Sequence, residues 1–250
     1  MIELKGKHIL ISGASSGIGK ATALLCDQLG ASLTLTSRNE SALRDLSRML
    51  KHSCKIMPAD LSREEDIQLL VDQVDGIHGL AHCAGMVKPV PLKYIRKKHF
   101  DEMFHINYMS AVLICSRLLT QKKMKDGASA VFISSVSVDH PYTGGAMYTS
   151  SKSALEAFSR SLALEGASRK IRSNVVSPAL VKTKIWTEAT EGLSADDVAR
   201  VESQYPLGLG EPEDVANLIA FLLSDAARWI TGAVMPLDGG LMLNHSKKTG

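Results

Sequence analysis

A short apolar run, His8-Ile9-Leu10-Ile11-Ser12, passes straight into Gly13-Ala14-Ser15-Ser16-Gly17-Ile18-Gly19. A stretch of helical period then runs from Ile18 to Leu29 and is closed by Gly30. A run this short that ends in glycines reads as a buried strand. A strand covered on both faces needs helices above and below its sheet. The same alternation repeats about seven times along the chain. Strands are expected at 32–36, 54–57, 77–83, 130–134, 172–177 and 233–237. Helices are expected at 41–50, 64–74, 98–123, 148–167 and 212–223, with two short helical pieces between 183 and 205. Short connections and alternating elements predict a doubly wound Rossmann-type α/β fold, a parallel sheet of about seven strands with helices on both faces.

No linker, repeat or low-complexity run interrupts this pattern, so residues 1–250 read as one domain. The chain's 250 residues would allow one domain or two, at about 100–200 residues each. A unit of this size buries about three quarters of its unfolded surface and folds without disulfides or metal. The net charge of +3 argues against a nucleic-acid partner. No apolar run reaches the ~18 residues of a membrane span, and no secretory signal opens the chain. Cys26, Cys54, Cys83 and Cys115 have no paired spacing and read as small buried hydrophobes. These features together suggest a cytoplasmic protein without a metal site.

Ligands of such sheets bind at the carboxyl ends of the strands, where the strand order reverses. The turn after the first strand has the spacing G-x-x-x-G-x-G. Its glycines let a pyrophosphate approach the backbone, and the following helix offers free N–H groups. The alternative, a purely structural turn, is less favoured in this position. Gly13, Ser15, Ser16, Gly17, Ile18 and Gly19 are therefore candidate dinucleotide contacts. The second strand ends in Thr36-Ser37-Arg38-Asn39, with no acid before Glu40. An acid there would bind a ribose 2′-hydroxyl. Arg38 instead puts a positive charge near a helix start, against the helix dipole. A 2′-phosphate on Ser37 and Arg38 would resolve that conflict, which predicts NADP(H) over NAD(H). A solvated arginine beside a capping Ser37 or Asn39 is the competing reading.

Tyr148 and Lys152 stand four apart on one helical face. A nearby ammonium favours a phenolate, so the pair is expected to lower the tyrosine's pKa and to move a proton at a substrate oxygen. Tyr94 and Lys98 share the spacing. They lack a serine at the preceding strand end, where Tyr148 has Ser134 and Ser135, and they read as surface.

Together these motifs resemble the short-chain dehydrogenase/reductases. The likeness runs through Ser12–Gly19, Ala59-Asp60-Leu61, Asn107, Ile133-Ser134-Ser135, Tyr148–Lys152, Ser177-Pro178-Ala179, Ile230-Thr231-Gly232 and Asp238-Gly239-Gly240. The resemblance implies that Ser135 bonds the substrate carbonyl and that Tyr148 donates the proton. It implies that Lys152 holds the nicotinamide ribose and that Asn107 anchors a water leading to Lys152. Asp60 and Leu61 would cover the adenine. Ala84, Gly85, Pro178, Ala179, Val181 and Thr183 would complete the cofactor site. Two departures stand out. His82-Cys83-Ala84-Gly85 replaces an asparagine-bearing run, which puts strand contacts there in doubt. Ala179 replaces a glycine after Pro178.

Residues 184–205 are expected to form a lid carrying Ile185, Trp186 and Leu193 beside Glu188, Glu191, Asp196 and Asp197. Met86, Val87, Val136, Val138, His140 and Tyr142 are expected to line the substrate cavity. The substrate reads as a small carbonyl or alcohol, with a 3-oxoacyl group on a carrier among the candidates. Lys88, Lys182 and Lys184 would then meet the acidic carrier, although solvated surface charge is the favoured reading. Sugar, polyol and steroid dehydrogenases share the motifs, and a non-catalytic nucleotide-sensing or scaffold protein is the rival of another class. Apolar residues on more than one face of the two long helices, with the resemblance, suggest a homotetramer or a homodimer. The tail from Asn244 to Gly250 reads as polar and loose.

Overall fold

The computed structural model describes residues 2–52, 54–183, 186–187, 190–192 and 194–243. The elements follow in chain order: β1 (His8–Ser12), α1 (Gly17–Gln28), β2 (Ser32–Thr36), α2 (Glu40–Met49), β3 (Cys54–Ile56), α3 (Glu64–Gln73) and β4 (Ile77–His82). Next come α4 (Lys97–Phe104), α5 (Ser110–Thr120), β5 (Met124–Ile133), α6 (Ala146–Glu165) and β6 (Arg172–Pro178). The chain continues through α7 (Ala195–Glu202), α8 (Pro212–Leu223) and β7 (Val234–Leu237). The seven strands form one sheet in the order β3-β2-β1-β4-β5-β6-β7, and every pairing is parallel.

Alternate side chains along each strand point to opposite faces. On one face Leu10, Leu80, Ala130 and Phe132 pack against Ile67 and Leu70 of α3, Ile114 and Leu118 of α5, and Leu155 of α6. On the other face Ile9, Ile11, Leu33, Leu35 and Val131 pack against Ala23 and Cys26 of α1, Leu43 and Leu46 of α2, and Ile219 and Leu223 of α8. This two-sided burial is why the strands read as nearly continuous apolar runs. The chain leaves β1 toward β2 on one side, while β4 joins β1 on the other. The order therefore reverses between β1 and β4, and a crevice opens above that point.

Two expected boundaries are corrected. The helix expected from Lys98 to Lys123 is broken by a π-turn, His105–Met109, and stops at Thr120. Lys122 then takes a left-handed conformation (φ 56°), and the Lys123 carbonyl accepts the Ile77 amide at 2.7 Å. That bond turns the chain into the sheet, so β5 begins at Met124 rather than Ala130. Its extra length is irregular, with a register shift against β4 between Ile77 and Gly79.

A buried carboxylate fastens the far end of this layer. Asp27, 3 % exposed, accepts the Lys51 amide at 2.9 Å, the His52 amide at 2.8 Å and His52 Nδ1 at 3.2 Å. Burial alone would raise its pKa, but the hydrogen bonds from Lys51 and His52 prevail and hold it below the ordinary carboxylate value. Removing it in Asp27→Ala is expected to cost about 1.5–3 kcal/mol, the range for hydrogen bonds to a charged group. A depressed carboxyl stabilises the fold above its unfolded value of about 3.9 and loses that contribution as pH falls through the folded value. Denaturant titrations should show the variant weaker at neutral pH and the gap closing at acid pH. A constant gap would contradict this.

Candidate active site

The crevice at the β1/β4 reversal is a cleft of about 760 Å³. Gly13, Ser15, Ser16, Gly17, Ile18 and Gly19 line one side, Ser37, Arg38, Asp60 and Leu61 another, and Ala84, Gly85 and Thr183 the rest. Asn39, Glu40, Ala59, Cys83, Met86 and Ile106 also line it, beyond the residues expected to bind cofactor. Ala59 and Ile106 adjoin expected site residues, which was the available signal. Of the expected residues, Tyr148, Lys152, Pro178, Ala179 and Val181 are not among its lining. Pro178 ends β6, the Ala179 amide bonds the Leu237 carbonyl at 3.1 Å, and Val181 pairs with Gly210.

The glycine turn is closed by backbone contact. A Cβ on Gly19 would lie 2.3 Å from the Gly13 carbonyl oxygen, and one on Gly13 would lie 2.8 Å from the Ala84 nitrogen. Gly13 also has φ +66°, which L side chains rarely adopt. Ser16 precedes α1 without a capping hydrogen bond from its side chain, and the first turn of α1 holds no acid. An uncapped helix start facing a cleft leaves N–H groups and the positive dipole end for an anion. The residues therefore fit a dinucleotide's pyrophosphate. At the other end, Asn39 caps α2 by accepting the Ala42 amide at 3.0 Å, so Arg38 is not needed there. Arg38 is exposed on the cleft wall. Burial would raise the Asp60 carboxyl, but the Ser62 amide and hydroxyl, with Arg38 and Arg63, hold it low.

Beyond the cleft, Tyr148 lies in the first turn of α6. Ser135 stands beside the Tyr148 phenol, where its hydroxyl opposes the rise of the phenol's pKa, and Ser135 Oγ accepts the Ser137 amide at 3.2 Å. Lys152 Nζ lies 5.7 Å from the centre of the Tyr148 ring and donates to the Ile133 carbonyl at 2.7 Å. A Cβ on Gly85 would sit 3.3 Å from both Lys152 Nζ and Asn107 Oδ1. The cleft and the helix pair therefore meet at Gly85. Asn107 is fully buried. Its amide accepts the Met86 N–H at 2.8 Å and donates to the Met86 carbonyl at 2.9 Å and to Ser151 Oγ at 3.0 Å.

The expected lowering of the Tyr148 pKa is corrected. Burial pushes the phenol up to about 12 against the opposing effect of the Ser135 hydroxyl. Burial also pulls Lys152 down to about 8. Lys152 faces the Ile133 carbonyl, and desolvation outweighs its reach to the phenol.

Other expectations divide. Tyr94 is 60 % exposed, as a surface reading requires. Lys88 pairs with Glu102 at 3.1 Å and Lys182 with Glu211 at 2.8 Å. Both are therefore engaged at the surface. Val136 is buried, His140 is exposed, and Tyr142 lines a separate cavity of about 380 Å³ with Pro91, Leu92 and Thr149. All four cysteines are free, although Cys54 and Cys83 are only partly buried. The doubt over strand contacts at Cys83 is met by the backbone, since its amide bonds the Ser12 carbonyl at 3.3 Å. Lys184, Ile185, Glu188 and Leu193 of the expected lid, and the tail 244–250, lie outside the described residues. No metal-binding cluster occurs among the described residues. No helix among them is long and apolar enough to cross a membrane.

A family model described as enoyl-(acyl carrier protein) reductase matches residues 13–242. The chain is 34% identical over 245 residues to a 3-oxoacyl-(acyl-carrier-protein) reductase FabG of Rickettsia felis, covering 97% of this chain and 100% of the relative. It is 33% identical over 240 residues to carbonyl reductase family member 4 of Danio rerio, covering 94% of this chain and 97% of the relative. A solved short-chain dehydrogenase/reductase from Brucella melitensis, described as a glucose/ribitol dehydrogenase, superposes with a TM-score of 0.87 at 28% identity, covering 96% of this chain and 98% of that one. With the glycine turn, the cleft and the Tyr148/Lys152 helix in place, these likenesses identify the chain as a member of the short-chain dehydrogenase/reductase family, an NAD(P)-dependent oxidoreductase.

Proposed function

We propose that the protein reduces a carbonyl to a secondary alcohol with NADPH, using Ser135, Tyr148 and Lys152, and that its substrate class is a 3-oxoacyl group. The observation that carries this reading is the grouping of Ser135, Tyr148 and Lys152 beside a cleft with an uncapped helix start. Bound NADPH would supply the hydride. Gly13 to Gly19 would hold its pyrophosphate, and Arg38 with Ser37 its 2′-phosphate.

The protein's own groups handle the proton. A phenol raised to about 12 carries its proton throughout the neutral range. It can donate that proton to the substrate oxygen as negative charge grows there. Ser135 bonds the same oxygen and orients it. The resulting phenolate is stabilised by Lys152, which keeps its charge below about pH 8. Asn107 holds the Met86 segment and Ser151 in place beneath Lys152.

The substrate class is supported by the names of the FabG relatives. The test is NADPH oxidation with a panel of 3-oxoacyl thioesters, free and carrier-bound, simple ketones, sugars and steroids. Turnover highest with 3-oxoacyl thioesters is expected. NADPH binding without turnover of any member would overturn the enzymatic reading.

The outer face of α6 leaves Leu164 79 % exposed, and Trp229 before β7 is 91 % exposed. These apolar surfaces support a homo-oligomer, a homotetramer or a homodimer. Light scattering should give four or two times the chain mass of 27.0 kDa. A monomeric mass would contradict it.

A further inference from the structure

His82 ends β4 and is 1 % exposed. It does not line the cleft, and it is not part of the proton machinery above. Both of its ring nitrogens are nevertheless committed. Nδ1 lies 3.0 Å from Ser12 Oγ, and Nε2 lies 3.1 Å from Ser110 Oγ.

Donor counting fixes the direction of both bonds. Ser110 has one hydroxyl proton and gives it to the Ile106 carbonyl at 2.7 Å. Ser110 therefore meets the ring as an acceptor, and Nε2 carries the proton. Nδ1 is then the acceptor, and Ser12 donates to it. The Ser12 oxygen in turn accepts the Ala84 amide at 3.2 Å. Five groups stand in one line: the Ala84 amide, the Ser12 hydroxyl, the His82 ring, the Ser110 hydroxyl and the Ile106 carbonyl. Only a neutral ring with its proton on Nε2 satisfies them all. Burial, aided by the Lys152 charge, pushes the ring's pKa down to about 3, so the same species persists across the neutral range.

The two ends of this line matter more than its middle. Ser12 leads directly into Gly13, and Ala84 is the residue against which Gly13 closes. Ile106 lines the cleft on its other wall and precedes Asn107 in the π-turn. Ser12 and His82 are register partners across β1 and β4, the pair of strands at which the crevice opens.

We infer that His82 is a positioning residue that holds the glycine turn and the Asn107 π-turn in one register through a single neutral tautomer. The inference deepens the oxidoreductase reading and rests on it for its kinetic arm alone.

The two ends can be cut separately. In His82→Asn the shorter amide reaches the place of Nδ1 and keeps Ser12, but loses Ser110. In His82→Gln the longer amide reaches the place of Nε2 and keeps Ser110, but loses Ser12. The Kd for NADPH and the kcat with the best substrate of the panel would be measured for each variant. His82→Asn should hold Kd within about two-fold and lose about ten-fold in kcat, the scale of one broken buried hydrogen bond. His82→Gln should show the reverse split, and His82→Leu should lose both. Equal changes in the Asn and Gln variants, or a fall in Tm alone, would overturn the inference.

The native protein supplies a check that survives any folding failure of the variants. Its ¹⁵N-labelled imidazole should report Nε2–H at His82 with no titration between about pH 5 and about pH 9. A proton on Nδ1, or titration in that interval, would overturn the inference equally. If the panel yields no turnover, the oxidoreductase reading fails by itself. The tautomer and the NADPH Kd of the variants still decide the role of His82.

Discussion

Replacing Tyr148 with phenylalanine is expected to lower turnover by about 10²–10⁴-fold, the usual contribution of a positioned general acid. The ring is kept, so its packing is kept. Only the phenolic oxygen and its proton, beside Ser135, are removed. NADPH affinity and Tm should therefore change little. Steady-state kinetics beside a binding titration separate the two effects, and a variant with near-native kcat would remove Tyr148 from the mechanism. The native enzyme's pH profile adds a second reading of the same site. Lys152 is charged below about 8 and neutral above it, because burial favours the neutral amine. Reduction at saturating substrate should thus decline as pH rises through that value, since the phenolate left by Tyr148 loses its counter-charge. A rate that stays flat to pH 10 would show that the Lys152 charge is not used.

The second large effect is expected at Arg38. Arg38→Asp should raise the KM for NADPH by roughly ten- to a hundred-fold, matching about 1.5–3 kcal/mol for charge-assisted hydrogen bonds to a phosphate. Repulsion between the new carboxylate and the phosphate adds to this. NADH should be unharmed or favoured, because an acid in this place can accept from the ribose hydroxyls. The side chain is free for the task. Asn39 already caps α2, and Glu40 already supplies an acid to its first turn. Measuring kcat/KM for both cofactors tests it. Unchanged NADPH kinetics would return Arg38 to a solvated surface role.

Much of this architecture was legible because buried parallel strands are written as apolar runs. His8–Ser12, Ser32–Thr36 and the helix Pro212–Leu223 fall where the pattern places them. The glycine turn was legible because three glycines directly after a strand and before a helix leave room for an anion against the backbone. The misreadings share a cause as well. Helical periodicity cannot register one extra residue, so the π-turn at 105–109 was hidden within a continuous helix. The start of β5 was hidden because Lys123, Lys125 and Asp126 surround the single buried Met124. The sign of the Tyr148 shift was hidden for another reason. Spacing shows that an ammonium is near but cannot show how deeply both groups are buried, and burial decides the outcome. Ile106 went unnoticed because nothing in an apolar side chain marks it as a cleft wall.

The π-turn makes the length of this segment a constraint on evolution. In a regular α-helix each residue advances the side-chain direction by about 100°, from 3.6 residues per turn. One residue more or fewer between Met103 and Ala111 would rotate one half of the rod against the other. Met103 on α4 and Ala111, Ile114 and Cys115 on α5 are all buried, so neither half can turn freely. A deletion here would trade either the core stripe or the aim of Asn107. A length change at these five residues is thus all-or-none.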